Sequence, residues 1–259
     1  MASGTTLMVS LDSVPGRGPS YASIAAGNDD TAILAFLRAV NRAAVQYHLG
    51  ATYICFEHEA DTPPHLKLGS PAEFIRAWDH VHQLAQSEHL NWNAGGRLNW
   101  VLILTHTAYF SRLPQWERRS GGASVYWPGT SEVDVVAADG YNHEGGKKHA
   151  QPGSAGASPV TPGALFDPLL RFAQSHGGVP VFITEWGSQT GSGTGQPSFI
   201  GPMQNFVSAN REIAAAMYFD WRNAQITSCS SIVNNQPASL SAMAAMGRSA
   251  PLQGRVMGS

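Results

Sequence analysis

Cysteine, charge and long apolar runs are all scarce in this 259-residue chain, and each scarcity removes a class of function. The two cysteines, Cys55 and Cys229, form neither a metal-ligand pattern nor a disulfide framework, and Cys55 lies in an apolar β-rich run where an inert core thiol is expected. Charged residues make up 13% of the chain, the formal net charge is -2, and no Lys/Arg-rich run occurs. Nothing here attracts a phosphate backbone or an anionic lipid, so nucleic acid is not expected as a partner. No stretch approaches the roughly 20 apolar residues of a membrane span. The opening MASGTTLMVSLD has no basic region, apolar stretch or small-residue cleavage site of a secretory signal. There is no GxSxG turn and no GxxxxGK[ST] phosphate loop, and the His58-Glu59 pair does not extend to HExxH, because Thr62 stands where the second histidine would be. The other nine histidines, His80, His82 and His106 among them, are scattered, and neither a metal nor another cofactor is expected.

What the chain does hold is an alternation of short β-rich runs with longer helical patterns. The runs are TTLMVSLD (5–12), ATYICFEHE (51–59), NWVLILTHT (99–107), EVDVVAADGYN (132–142), PVFITEWG (180–187) and AAAMYFDW (214–221). Between the first two, DDTAILAFLRAVNRAAVQYHLG opens on Asp29 and Asp30 as N-cap candidates, repeats apolar residues at helical spacing and closes on Gly50. PAEFIRAWDHVHQLAQSE, TPGALFDPLLRFAQSHGG and PMQNFVSANREIAA repeat the arrangement. Near-continuous apolar strands between amphipathic helices indicate a parallel sheet covered by helices, in one α/β domain over 1–259. Only about six strands are readable, whereas a closed (β/α)8 TIM barrel needs eight. Two architectures remain open on this count: a barrel that is N-terminally incomplete, or an open doubly wound sheet.

Two of the apolar runs carry a glutamate where strand gives way to loop, Glu59 and Glu185. Two carboxyls brought by different strands to one end of a barrel are the minimum equipment for glycoside hydrolysis, one protonated for the leaving oxygen and one ionised as nucleophile. They are 126 positions apart (185 minus 59), room for three intervening β/α units. A lone glutamate after a strand is more often a surface or ion-paired residue. The Gly/Ser/Pro-rich segments HEGGKKHAQPGSAGASPVTP and SQTGSGTGQPS follow strand C-termini, where barrel enzymes build their sites, and read equally as solvated loops.

The motifs around these residues go further. The HE of FEHEAD, the run VYWPGTSEVDVVAADGYN, and ITEWGS followed by YFDW resemble, in this order, segments of glycoside hydrolase family 26, the β-mannanase family of (β/α)8 retaining glycosidases. The resemblance runs from the first readable strand to AAMYFDW, with SLSAMAAM similar to the family's final helix. It implies that Glu59, on the fourth strand of a full barrel, is the general acid/base with His58 beside it, and that Glu185, on the seventh, is the nucleophile. Tyr141 would orient Glu185 by a hydrogen bond, and Asp139 would support the same strand end. Trp221 would stack on a sugar face, with Trp127 a second candidate, though without the resemblance both tryptophans read as packing residues. It also identifies the first readable strand with the barrel's third, so that two β/α units would be missing, for which an upstream segment cut away is the simplest explanation. A secreted full-length protein and a monomer are implied.

The chain departs from the family pattern at the HE pair, with Cys55, Phe56 and Glu57 before it and Ala60 and Asp61 after it. Glu57 shares strand parity with Glu59 and is expected to point inward one layer deeper or to pair with an arginine. The implied reaction is retaining, endo-acting cleavage of a β-1,4-linked polysaccharide, mannan first, with the two carboxyls about 5 to 5.5 Å apart. Hydrolysis of another β-glucan or xylan, and non-catalytic binding of an oligosaccharide on the same barrel, are the alternatives.

Overall fold

The structure is a computed structural model that describes residues 6–13, 18–113, 117–142, 160–188, 195–220, 233 and 236–249. Among these residues six strands, β1 (Leu7–Leu11), β2 (Thr52–Phe56), β3 (Leu98–Thr105), β4 (Val135–Asn142), β5 (Val181–Ser188) and β6 (Ile213–Tyr218), form one sheet. Every neighbouring pair is parallel. The order in the sheet is the order in the chain, β1 to β6. A doubly wound sheet reverses its strand order at a switch point, so this unreversed order settles the architecture as barrel winding. Among the described residues β1 pairs only with β2, and β6 only with β5, as an incomplete barrel requires.

Among the described residues six α-helices accompany the strands: α1 (Tyr21–Ala25), α2 (Asp30–Gln46), α3 (Pro71–Ser87), α4 (Pro162–Ser175), α5 (Gly195–Ala209) and α6 (Pro237–Gly247). Their starts follow local chemistry. Ser70 and Glu73 close a capping box around Pro71, and the Thr161 hydroxyl accepts the Ala164 amide at 3.1 Å ahead of Pro162. Their ends are less conventional. The motif that closes α2 is not carried by Gly50, as the sequence suggested, but by His48 at φ 52°, which lets Leu49 N–H reach the Ala44 carbonyl at 2.9 Å. His89 at φ 55° closes α3 in the same way through Leu90 and Ala85, and Gly177 closes α4. Two of the scattered histidines are thus helix stops. The segment PMQNFVSANREIAA divides, since α5 starts upstream of it at Gly195 and stops at Ala209, while Ile213–Ala215 already belong to β6.

Strand alternation sorts the apolar residues into two layers. Tyr53 and Cys55, Val101 and Ile103, Val135 and Ala137, and Phe182 pack together on the face that would line the barrel. The intervening residues, such as Ile54, Phe56, Trp100, Leu102, Val136 and Ile183, join Leu37, Phe74, Trp78, Phe166 and Met203 of the helices in the larger outer core. Cys55 is fully buried, as expected of a core thiol. No helix among the described residues is long and apolar enough to cross a membrane.

Glycine in the DGYN of β4 has a packing reason. A Cβ at Gly140 would stand 2.9 Å from Phe166 Cε1 and 3.3 Å from His106 Cγ, so the bare backbone is what lets the α4 ring close over the strand. Gly140→Ala is expected to cost about 1–3 kcal/mol by overpacking, read as a lowered urea midpoint at unchanged slope.

Candidate active site

The C-terminal ends of β1 to β5 carry the polar side chains that the apolar layers do not need. Strand β2 stops at Phe56, so Glu57, His58 and Glu59 lie on the following turn and strand parity does not govern them. Both glutamates adopt left-handed backbone, φ 60° at Glu57 and 53° at Glu59, which costs each non-glycine residue on the order of 1–3 kcal/mol. A dense set of bonds maintains it. Glu57 N–H donates to Leu11 O at 3.0 Å, Glu59 N–H to Ile103 O at 3.2 Å, and Thr62 N–H to Glu59 O at 2.9 Å. His58 N–H donates to Asp12 Oδ1 at 2.8 Å, and Ser13 N–H to Glu57 Oε1 at 2.8 Å. Glu57 therefore turns to the β1 loop rather than to an arginine, and it is buried.

A bulge sets the other carboxylate. Ala138 pairs with Ile183 but Asp139 pairs with Glu185, leaving Thr184 as an extra residue in β5. Strict alternation would send Thr184 inward and Glu185 out among the helices. With the extra residue both address the inner side of β4: the Thr184 hydroxyl donates to Asp139 Oδ1 at 2.6 Å, and the Tyr141 hydroxyl donates to Glu185 Oε2. Trp186 then returns to the outer core.

Asp139, with its side chain 1% exposed, links the two halves. Its second oxygen meets His58 Nε2 at 2.5 Å, and the same nitrogen is 4.0 Å from Glu185 Oε1. Its carbonyl is 3.1 Å from His106 Nδ1, on the turn after β3. Asp61, also buried, accepts the Thr105 hydroxyl at 2.5 Å and the Thr105 amide at 3.1 Å. The structure thus gathers His58, Glu59, Asp139, Tyr141 and Glu185. It does not bring Trp127 to them, because that ring packs edge-on against Phe172 and His176 at the end of α4. Trp221 lies outside the described residues. Sequence reasoning passed over Thr184 and Asp12, and it noted Asp61 only as a departure from a motif. Asp61 had a readable signal, a carboxylate two residues past Glu59.

The electrostatics follow from so many acids in so little water. Burial pushes Glu59 up to about 8, and the charges of Asp139, Asp61 and Glu185 push the same way against His58. Glu185 is also raised by burial and Asp139, but Tyr141's hydrogen bond and His58 favour its ionised form. Burial alone would discharge His58; the hydrogen bond and charge of Asp139, with Glu59 and Glu185, outweigh it and hold the imidazole up to about 9. Burial likewise raises Glu57 to about 7 and Asp61 to about 6. At neutral pH the group contains a protonated carboxyl at Glu59 and an imidazolium beside Glu185.

One nitrogen of His58 and one oxygen each of Asp139 and Glu185 lie within 4.8 Å of one another, a convergence that a divalent ion could bridge. The 2.5 Å contact between His58 and Asp139 is a hydrogen-bond distance, so a shared ion would have to part that pair.

No family model matches the chain, and no curated protein matches its sequence. Solved structures do. An endo-β-1,4-mannanase double mutant from Cellulomonas fimi superposes with a TM-score of 0.61 at 16% identity, covering 95% of this chain and 55% of that one. An endo-β-1,4-glucanase from Xanthomonas axonopodis gives 0.55 at 9% identity, covering 94% and 74%. A GH128 (subgroup IV) endo-β-1,3-glucanase from Lentinula edodes gives 0.51 at 11% identity, covering 93% and 80%. The fold is that of the barrel glycosidases. The chain spans about half the length of the mannanase it superposes on.

The raised groups make stability depend on pH in a definite direction. A group with folded pKa above its unfolded value stabilises below the unfolded pKa and loses that contribution as pH rises through the folded one. Glu57, Glu59 and His58 all have that sign between about pH 6.5 and 9. His65 and His82, lowered by burial, oppose them only below the ordinary histidine pKa near 6.5. The melting temperature is therefore expected to fall steadily from pH 6.5 to 9, and Glu59→Gln to flatten that slope in a thermal scan; a rise over this window would contradict the charge assignment.

Proposed function

We propose that this chain is a retaining glycoside hydrolase, endo-acting on a β-1,4-linked polysaccharide, with β-mannan the first substrate. The observation that carries the reading is the unequal treatment of two carboxyls at the same end of the sheet. Glu59 is held protonated near neutrality, whereas Glu185 is braced by a Tyr141 hydroxyl and faced by the His58 cation. Double displacement needs that inequality.

Glu185 would attack the anomeric carbon as Glu59 passes its proton to the departing glycosidic oxygen. Glu59, now ionised, would take a proton from a water that attacks the same carbon and frees the sugar from Glu185. Tyr141 fixes the nucleophile's second oxygen, so the first is left to react. Asp139 keeps the imidazolium of His58 in place, which moderates the repulsion between the two glutamates once both are charged. The order HE, DGYN and ITEWG supports placing the chain with glycoside hydrolase family 26, and the fold shared with an endo-β-1,4-mannanase is a further reason to test mannan first. Trp221 is the proposed sugar platform by that placement.

Reducing-sugar release from β-mannan, mixed-linkage β-glucan, β-1,3-glucan and xylan is the test. Activity on mannan, falling to background in Glu185→Ala, is the expected outcome. Activity on another polymer would move the substrate and keep the reaction. Silence on all four by folded protein, with oligosaccharide binding intact in Glu185→Ala, would replace the proposal with the binding reading.

Tyr141→Phe removes a hydrogen bond to a charged oxygen, worth about 1.5–3 kcal/mol. Its kcat is expected to drop about 10- to 100-fold with the melting temperature within a few degrees of the parent, in steady-state assays on the same substrate.

A further inference from the structure

The proposed chemistry does not use Glu57, yet this glutamate is 1% exposed beneath the turn that carries Glu59. One oxygen accepts the Ser13 amide at 2.8 Å. The other, Oε2, has no hydrogen-bond partner and lies 3.7 Å from His65 Nε2. His65 sits at the start of the short helical turn His65–Lys67, where its Nδ1 is 2.9 Å from Thr62 Oγ1. That hydroxyl in turn donates to the Glu59 carbonyl at 2.9 Å. One 3.7 Å contact and two hydrogen bonds thus lead from a buried acid to the backbone of the catalytic candidate.

Counting protons along this path fixes its polarity. A threonine hydroxyl has one proton, and here it is spent on Glu59 O, so the contact from His65 must be an Nδ1–H donating to Thr62 Oγ1. Nε2 of a neutral His65 is then bare and faces Glu57 Oε2. At 3.7 Å those two atoms are in contact without being hydrogen-bonded, and a proton between them, with the side chains drawn a few tenths of an ångström closer, would complete the path. An acid or an amide at position 57 can supply that hydrogen; a hydrocarbon side chain of the same length cannot. Because Glu59 holds left-handed backbone, a bond on its carbonyl bears directly on where its carboxyl points.

We propose that Glu57 is a positioning residue for Glu59, acting through His65 and Thr62 and through the Ser13 amide to hold the turn after β2 in its left-handed form. The effect on rate rests on the glycosidase reading of Glu59. The effect on the turn does not.

The test compares the parent with Glu57→Leu, Glu57→Gln and His65→Phe by two readouts: backbone hydrogen exchange of residues 57–62, and kcat and KM on the polymer the parent hydrolyses. In Glu57→Leu and His65→Phe the 57–62 amides are expected to exchange about tenfold faster while α3 and β3 keep their protection. Their kcat is expected to fall about 10- to 100-fold at a KM within about twofold of the parent, the size of effect that a small misplacement of a reacting group produces. Glu57→Gln, whose amide accepts from Ser13 and donates to Nε2, is expected to restore both to within about threefold. If the parent hydrolyses nothing and the leucine variant still loosens 57–62, the enzymatic reading falls and the positioning role stands. The role itself is overturned by unchanged exchange at 57–62 in a folded leucine or phenylalanine variant, by a glutamine variant as impaired as leucine, or by a loss confined to KM. Should the leucine variant fail to fold, the phenylalanine and glutamine variants decide the same question.

Discussion

One buried carboxylate, Asp139, ties the site together. It takes the Thr184 hydroxyl from β5 and the His58 imidazole from the turn after β2, while its carbonyl meets His106 from the turn after β3. Four strand ends thus meet at one residue, and each contact has a second effect. Thr184 can reach it only because β5 carries an extra residue, and that same residue turns Glu185 inward. His58 is charged because Asp139 is there, and its charge is what faces Glu185. Removing this carboxylate would undo the geometry and the protonation pattern together.

The strand end is also where the chain departs from its own rules of stability. The two layers below it are apolar, whereas the site holds six carboxyls, those of Asp12, Glu57, Glu59, Asp61, Asp139 and Glu185, and two non-glycine residues in left-handed backbone. Burial raises the pKa of Glu57, Glu59, Asp61 and Glu185, so each is stabilised as the neutral acid at a cost to the charged form. Strain and unfavourable burial collected at one end of an otherwise regular fold are what a functional site is expected to cost.

The sequence made the scaffold legible and the details of the site less so. All six β-rich runs contain strands and lie in chain order, because near-continuous apolar runs and helical spacing are local properties that a linear chain displays. Glu59, Glu185, Tyr141, His58 and Asp139 were also readable, through the order of short motifs, and the structure brings them together. Glu57 is the buried acid the sequence allowed, but its partner, the Ser13 amide 44 residues away, was not readable from strand parity, which ends at Phe56 where the backbone turns left-handed. Thr184 was invisible since a bulge is a property of two strands in register, and neither strand shows it alone. The helix stop at His48 was assigned to Gly50 because glycine is the usual occupant of such a position. Asp61 stood in plain sight, but its partner Thr105 is 44 residues away.

The central claim is that two glutamates act in sequence on one anomeric carbon, each displacement inverting it. Proton NMR of the first sugar released from the hydrolysed polymer, recorded before mutarotation, tests this most directly. A β-configured reducing end is the expected result. An α-configured one would mean a single displacement by water, and would contradict the role given to Glu185.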